Sequence, residues 1–157
     1  MKHLDLRKIA FGMTSAIVTG IAVVGTLFSN PGGKMLVIPS LLIFAVADNI
    51  ADSFGMHVYQ DAQHLKGKQV WMGTVFNYCA RLSVSLLFIA VLLLFPTRIA
   101  SILCVSIGLL LLTTISYLIA KQRKQNPLFM VAEHVGLAVI VLAVSTFIGN
   151  FIRSQIH

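Results

Sequence analysis

Long apolar runs recur along the whole chain, and they constrain its fold more than any other feature. The 157 residues are 57% hydrophobic and only 11% charged, and the polar stretches between the runs are too short to fold alone. A run of about 20 apolar residues crosses the hydrocarbon core of a bilayer as a helix. We therefore predict an all-α integral membrane bundle of five transmembrane helices, which forms a single domain over residues 1–157.

Turn-forming and basic segments separate the apolar runs and set their limits. Residues 30–33 read Asn-Pro-Gly-Gly, a strong turn signal, and residues 121–126 form a basic loop. The predicted spans are residues 9–29, 35–59, 71–95, 99–120 and 128–152. If the N-terminus is inside, the inner segments hold eight lysines and arginines and the outer segments hold three. The positive-inside rule then predicts an N-terminus inside and a C-terminus outside.

The charge, the cysteines and the absent motifs narrow the class of protein. The basic residues that give the net charge of +7 lie between the apolar runs. In that position they indicate membrane topology and contact with anionic lipid headgroups rather than nucleic-acid binding. Cys79 and Cys104 fall in apolar runs without metal-site spacing, so we expect buried thiols. The sequence has no phosphate-binding loop, HExxH motif or nucleophile elbow, and we expect neither an enzyme nor a permanently bound cofactor. Its small size and the lack of a targeting segment suggest a bacterial or archaeal plasma membrane.

An acidic stretch closes the second apolar run. Asp48, Asp52 and Met56 are spaced i, i+4, i+8, which places them on one face of a helix. A carboxylate at membrane depth costs about 2.5 to 3.5 kcal/mol on the insertion scale, so an ion or a proton is the expected counterpart. Two carboxylates and a thioether are ligands that suit Fe²⁺ or Mn²⁺ better than Ca²⁺.

Polar residues of four spans fall at similar depths when each helix is measured from its inner end. We expect them to form one layer in the inner third of the membrane. The predicted metal ligands are Asp48, Asp52, Met56 and Glu133, and the predicted pathway or polar layer contains Ser15, Asn77, Arg81 and His134. A structural alternative remains open, in which Arg81 neutralises Asp52 or Glu133 and fixes the helix register. One arginine is too few to neutralise three acids.

Three segments resemble the vacuolar iron transporter family of five-span membrane proteins. Gly12–Gly25 (GMTSAIVTGIAVVG) is similar to that family's first helix. Gly55 and Gln63 keep the spacing between the glycine and the glutamine of its second-helix motif. Ser145–Gly149 (STFIG) is similar to the end of its fifth helix. The five spans and the N-inside orientation agree with the family, and the chain resembles a short, divergent member.

The departures from the family pattern involve the residues expected to bind metal. Ser15 stands where the family has an aspartate, Asp52 where it has a methionine, and Met56 where it has a glutamate. The Glu-rich cytoplasmic insertion between spans two and three is absent, since residues 60–69 form only a short loop. The resemblance implies a homodimer with an ion path between first helices, which exchanges Fe²⁺ or Mn²⁺ for protons.

These observations lead to two hypotheses about function. The first is a small divalent-metal transporter, proton-coupled and homodimeric, in which Gly12, Ala16 and Gly20 let another helix approach the first span closely. The second is a non-transporting membrane scaffold or partner-binding module with the same fold, suggested by the missing aspartate and insertion. A membrane-embedded enzyme is a third possibility, for which the sequence offers no nucleophile or cofactor site.

Overall fold

The computed structural model describes the backbone of residues 6–156 and the side chains of residues 10–155 apart from Pro31. It is all helical over that range. The elements are α1 (Leu6–Ser29), a 3₁₀ turn (Pro31–Gly33), α2 (Lys34–Ile43), a π-helical turn (Phe44–Asp48), α3 (Asn49–Ala62), α4 (Gly67–Leu94), α5 (Thr97–Gln122) and α6 (Pro127–Ile156). The basic segment Met1–Lys8, which contributes to the predicted orientation, lies outside the residues whose side chains are described.

Five helices in the described range are long and apolar enough to cross a membrane, as predicted. α2, the π turn and α3 together form the second of them, Lys34–Ala62. All five helices extend beyond the predicted spans by a few residues at one or both ends, because they continue into polar residues that the hydropathy pattern excludes. The second span, for example, ends at Ala62 rather than at residue 59. Many large apolar side chains are exposed on the outer faces, as expected for helices that face lipid.

α1 is the central helix of the bundle and packs against α4, α5 and α6. Its buried face carries Ile17, Ile21 and Val24, which join Phe88 and Leu112 in the apolar core. α6 lies at the periphery of the bundle. Only 6% of its 18-residue apolar stretch is buried, whereas 44% of the corresponding stretch of α1 is buried. The first span, which the resemblance places at a dimer interface, therefore has most of its surface covered within one chain.

Glycines explain how α1 and α4 come so close together. A Cβ atom on Gly12 would lie 2.5 Å from Asn77 Oδ1 and 2.7 Å from the Asn77 carbonyl oxygen. A Cβ atom on Gly20 would lie 2.6 Å from two ring carbons of Phe88. The small-residue series of the first span thus serves a close helix contact, as its spacing indicates, and the helix that approaches is α4 of the same chain.

The chain reverses after α3 and after α5 through the same backbone motif. His64 and Lys124 have positive φ angles of 55° and 54°. The N–H of Leu65 donates to the carbonyl of Gln60, and that of Gln125 donates to the carbonyl of Ala120. Each reversal is a Schellman motif, in which a residue in the left-handed region closes the helix and satisfies its last carbonyls.

Candidate functional site

The π-helical turn at Phe44–Asp48 determines how the side chain of the next residue, Asn49, is oriented. The backbone N–H of Asn49 donates to the carbonyl of Phe44, five residues earlier, instead of the carbonyl of Ala45. The Asn49 side chain replaces that missing donor, because its Nδ2 donates to the Ala45 carbonyl at 2.9 Å. The amide is thereby fixed with its Oδ1 facing α4. Single π turns of this kind occur frequently at functional sites.

Arg81 on α4 is the centre of the cluster. Its side chain is 1% exposed. Nε donates to Asn49 Oδ1 at 2.8 Å, and Nη2 donates to Asp48 Oδ2 at 2.7 Å. Nη1 lies 2.5 Å from Asp52 Oδ2 and forms an ion pair with it, without the geometry of a hydrogen bond. One guanidinium therefore contacts two of the three acids predicted as metal ligands, Asp48 and Asp52, and an amide that the sequence prediction left out.

A line of polar side chains continues from Arg81 along the contact between α3 and α4. We call this line the polar seam, and it consists of Asn49, Ser53, His57, Gln60, Thr74, Asn77 and Arg81. The amide nitrogen of Asn77 donates to Ser53 Oγ at 3.1 Å. His57 Nδ1 lies 3.0 Å from Thr74 Oγ1. The two helices are antiparallel, so these pairs follow each other at successive turns and fix the register of α3 on α4.

Two amide oxygens of the polar seam are buried without a hydrogen-bond donor, and each rests on a glycine. Asn77 Oδ1 lies at Gly12 of α1, and Gln60 Oε1 lies at Gly73 of α4. Close contact with a glycine Cα brings its hydrogens to the oxygen, and a Cα–H···O contact is a weak hydrogen bond.

Ser15 connects α1 to the acids. Its Oγ donates to Asp52 Oδ2 at 3.3 Å. A crevice of about 10 Å³ lies next to Asp48 and is lined by Thr19, Asp48, Arg81 and Ser85. That volume matches a single water molecule, and the lining offers it several hydrogen-bonding groups. The acids are thus contacted from α1 and α4, and Asp48 also borders the crevice.

The exposure of the acids distinguishes them from Arg81. The side chains of Asp48 and Asp52 are 37% and 38% exposed, whereas the guanidinium between them is buried. With both acids ionised, the three groups carry one net negative charge. At membrane depth, an uncompensated charge of this kind is costly, and a proton or another cation is its natural counterpart.

The remaining predicted residues lie away from Arg81. Met56 is half-buried on α3, and Glu133 is exposed on α6 beside Gln125, Asn126, Phe129 and Met130. His134 Nδ1 lies 2.7 Å from Ser116 Oγ. Of the predicted set, the ion-paired cluster and the adjoining seam therefore contain Ser15, Asp48, Asp52, Asn77 and Arg81. Between Ala10 and Gln155, no three His, Cys, Asp or Glu side chains are grouped as they would be around a metal ion.

A groove of about 390 Å³ runs between α1, α5 and α6 and reaches Ser15. Thr14, Arg123 and His134 also line it. Ser15 thus faces the groove and at the same time donates to Asp52. His134, although remote from Arg81, shares a cavity with a residue that contacts the acids.

Asn49 and Ser53 belong to the cluster and were not predicted. Both are almost fully buried, and they follow Asp48 and Asp52 by one residue. Their signal in the sequence was a second polar stripe, Asn49, Ser53 and Gln60, at i, i+4 and i+11. This stripe lies about 100° around the helix from the acids and is the one that faces α4.

Comparison of the chain with protein-family models, curated proteins and solved structures found no match.

Proposed function

We propose that this protein is a small membrane transporter of a divalent cation, with Fe²⁺ and Mn²⁺ as the expected cargo and protons as the exchanged ion. The observation that carries the proposal is that Asp48 and Asp52 share a single arginine. With both acids ionised, the cluster lacks one positive charge, and its acids are the partly exposed members. A cation that enters next to them supplies the missing charge.

The expected roles follow from these positions. Asp48 and Asp52 bind the cation and exchange protons, and Arg81 stays as a fixed counter-charge that holds whichever carboxylate is ionised. Ser15 supplies a neutral oxygen beside Asp52. Met56, one turn beyond Asp52, would add a soft ligand once the ion is present. Glu133 and His134 would bind ions or relay protons near the start of α6.

The oligomeric state and the membrane belong to the same proposal. The resemblance to the vacuolar iron transporter family implies a homodimer, and a bacterial or archaeal plasma membrane is the expected location. The small residues Gly12 and Gly20 do not support the dimer, because α4 of the same chain already covers them. Support for a dimer comes instead from the exposed side of the acids, which a second copy would shield from lipid.

Uptake into proteoliposomes tests the proposal. Fe²⁺ or Mn²⁺ is offered across a pH gradient, and a chelating dye inside reports entry while a second dye reports the internal pH. We expect uptake by the wild type and its loss in Asp48→Asn and Asp52→Asn. Asp61→Asn is the matched control, because Asp61 is an exposed acid near the end of α3. Unchanged flux in both cluster variants would refute the assignment of the site.

A second candidate function is a non-transporting scaffold or partner-binding module. The observation in its favour is that Arg81 contacts both acids and Asn49, an arrangement that also serves as a structural ion pair. It predicts a folded wild-type protein without metal or proton flux. It also predicts that Arg81→Ala lowers the free energy of unfolding strongly, while the acid variants leave ion movement unchanged.

A further inference from the structure

We propose that a diacyl anionic phospholipid binds around Trp71, with one acyl chain on each side of the indole and its phosphate at Lys68. This inference does not depend on the proposed transport function. It rests on the shape and charge of the surface where α4 begins.

Two apolar grooves flank Trp71. The first lies between α3 and α4, has a volume of about 390 Å³, and is lined by residues that include Phe54, His57 and Val75. The second lies on the outer face of α4, has a volume of about 330 Å³, and is lined by Met72, Val75 and Phe76 as well as Lys68. Trp71 and Val75 belong to both grooves and form the ridge between them. Two adjacent apolar grooves of similar size match the two chains of one phospholipid.

The depth of Trp71 agrees with a lipid headgroup at Lys68. α4 begins at Gly67, so Trp71 lies roughly 6 Å along the helix. Tryptophan is enriched at this level of membrane proteins, where the acyl region meets the headgroups. The indole is 63% exposed in the bundle and is held at its edge by the His57 ring, at a centroid distance of 4.7 Å. The exposed part of the indole borders both grooves.

The charge near the grooves favours an anionic headgroup. Lys66 and Lys68 are exposed where the chain enters α4, and Lys68 lines the second groove. Asp61 is the carboxylate on the facing helix, and it lies 3.5 Å from His57 Nε2. The lysines thus stand at the headgroup end of the grooves, where a basic residue attracts an acidic phospholipid about fivefold more strongly than a zwitterionic one.

The protein contains a single tryptophan, so its fluorescence reports the contents of both grooves. We would reconstitute it with brominated phosphatidylglycerol in phosphatidylcholine, and with the bromines on the phosphatidylcholine instead. Bromine quenches tryptophan only on contact. We expect about a fivefold preference of the Trp71 site for the anionic lipid. Lys68→Gln should reduce that preference, while Lys121→Gln, the same charge change in the last turn of α5, should leave it intact.

Each remaining outcome would overturn the proposal. Equal quenching by both lipids would mean that Trp71 contacts only unselected annular lipid. An equal loss of preference in Lys68→Gln and Lys121→Gln would indicate that the overall surface charge attracts the anionic lipid. An unchanged preference in Lys68→Gln would show that the phosphate does not bind at Lys68. Absence of quenching by either lipid would show that protein covers the grooves, as in an assembly with a second copy.

Discussion

The contact between α1 and α4 has two ends of opposite chemistry, although a glycine of α1 forms each of them. At one end Gly12 lies against the Asn77 amide and the Arg81 stem, and at the other Gly20 lies against the Phe88 ring. The polar end requires particular partners, because every buried charge or amide needs a matching group. The apolar end requires only that the volume is filled. Small residues bring the helices together, and the polar residues determine where along their length they meet.

The largest expected effect is at the polar end. Arg81→Leu leaves Asp48 and Asp52 without their counter-charge and should lower the free energy of unfolding by about 3–5 kcal/mol. Reversible unfolding in mixed micelles with increasing sodium dodecyl sulfate measures the loss. Arg98→Leu, at an exposed arginine, is the matched control and should change stability little. A loss of less than about 1 kcal/mol in Arg81→Leu would mean that the cluster is not a stabilising ion pair.

The second prediction counts charges in the same cluster. Asp48→Asn or Asp52→Asn alone still leaves one carboxylate for Arg81, so each should cost less than about 1 kcal/mol. The double variant isolates a buried guanidinium and should cost about 3 kcal/mol in the same unfolding assay. Additive losses would contradict the sharing of one arginine by two acids.

The third prediction compares the two ends directly. Gly12→Ala places a Cβ atom against the Asn77 backbone oxygen and should cost about 2–3 kcal/mol, because backbone has to move. Gly20→Ala meets only the Phe88 ring and should cost about 1 kcal/mol less. Gly55→Ala meets nothing within 4 Å and serves as the control. If Gly20→Ala were the more damaging variant, the apolar end would be the more tightly specified one.

The smallest effect is expected at a polar pair outside the seam. Ser116→Ala removes the hydroxyl that lies 2.7 Å from His134 Nδ1 and should cost about 0.6 kcal/mol, the average for such pairs between membrane helices. A double-mutant cycle with His134→Ala isolates the free energy of interaction between the two side chains. A coupling above about 2 kcal/mol would place this pair in the same class as the Arg81 cluster.

The sequence predicts the five helices because hydropathy over 20 residues dominates every other term in a bilayer. It also identifies Asp48, Asp52 and Arg81, since ionisable residues in apolar runs are rare. Which of three acids the arginine meets depends on helix order and rotation. α6 contacts α1 and α5 and leaves Glu133 exposed, apart from the cluster. No local pattern in the sequence encodes that separation.

The face of α3 that turns inward is not the face that carries the acids. Asp48, Asp52 and Met56 form the stripe that was predicted to bind metal, yet the adjacent stripe of Asn49, Ser53 and Gln60 is the buried one. Neutral amides and hydroxyls are cheaper to bury than carboxylates, so they take the interior position and leave the acids at the edge. This preference is a physical rule, and it could have been applied to the sequence alone.

The π-helical turn has a consequence for how the second span can change during evolution. A π turn holds one residue more than the α-helical turn it replaces, while the segments on either side keep their rotational phase. Loss of one residue within Phe44–Asp48 would restore an ordinary turn and leave both flanking faces where they are. The same loss between Asn49 and Gln60 would rotate the rest of α3 by about 100° and separate its polar pairs from α4. The span therefore has one point at which its length can vary without a change of partners.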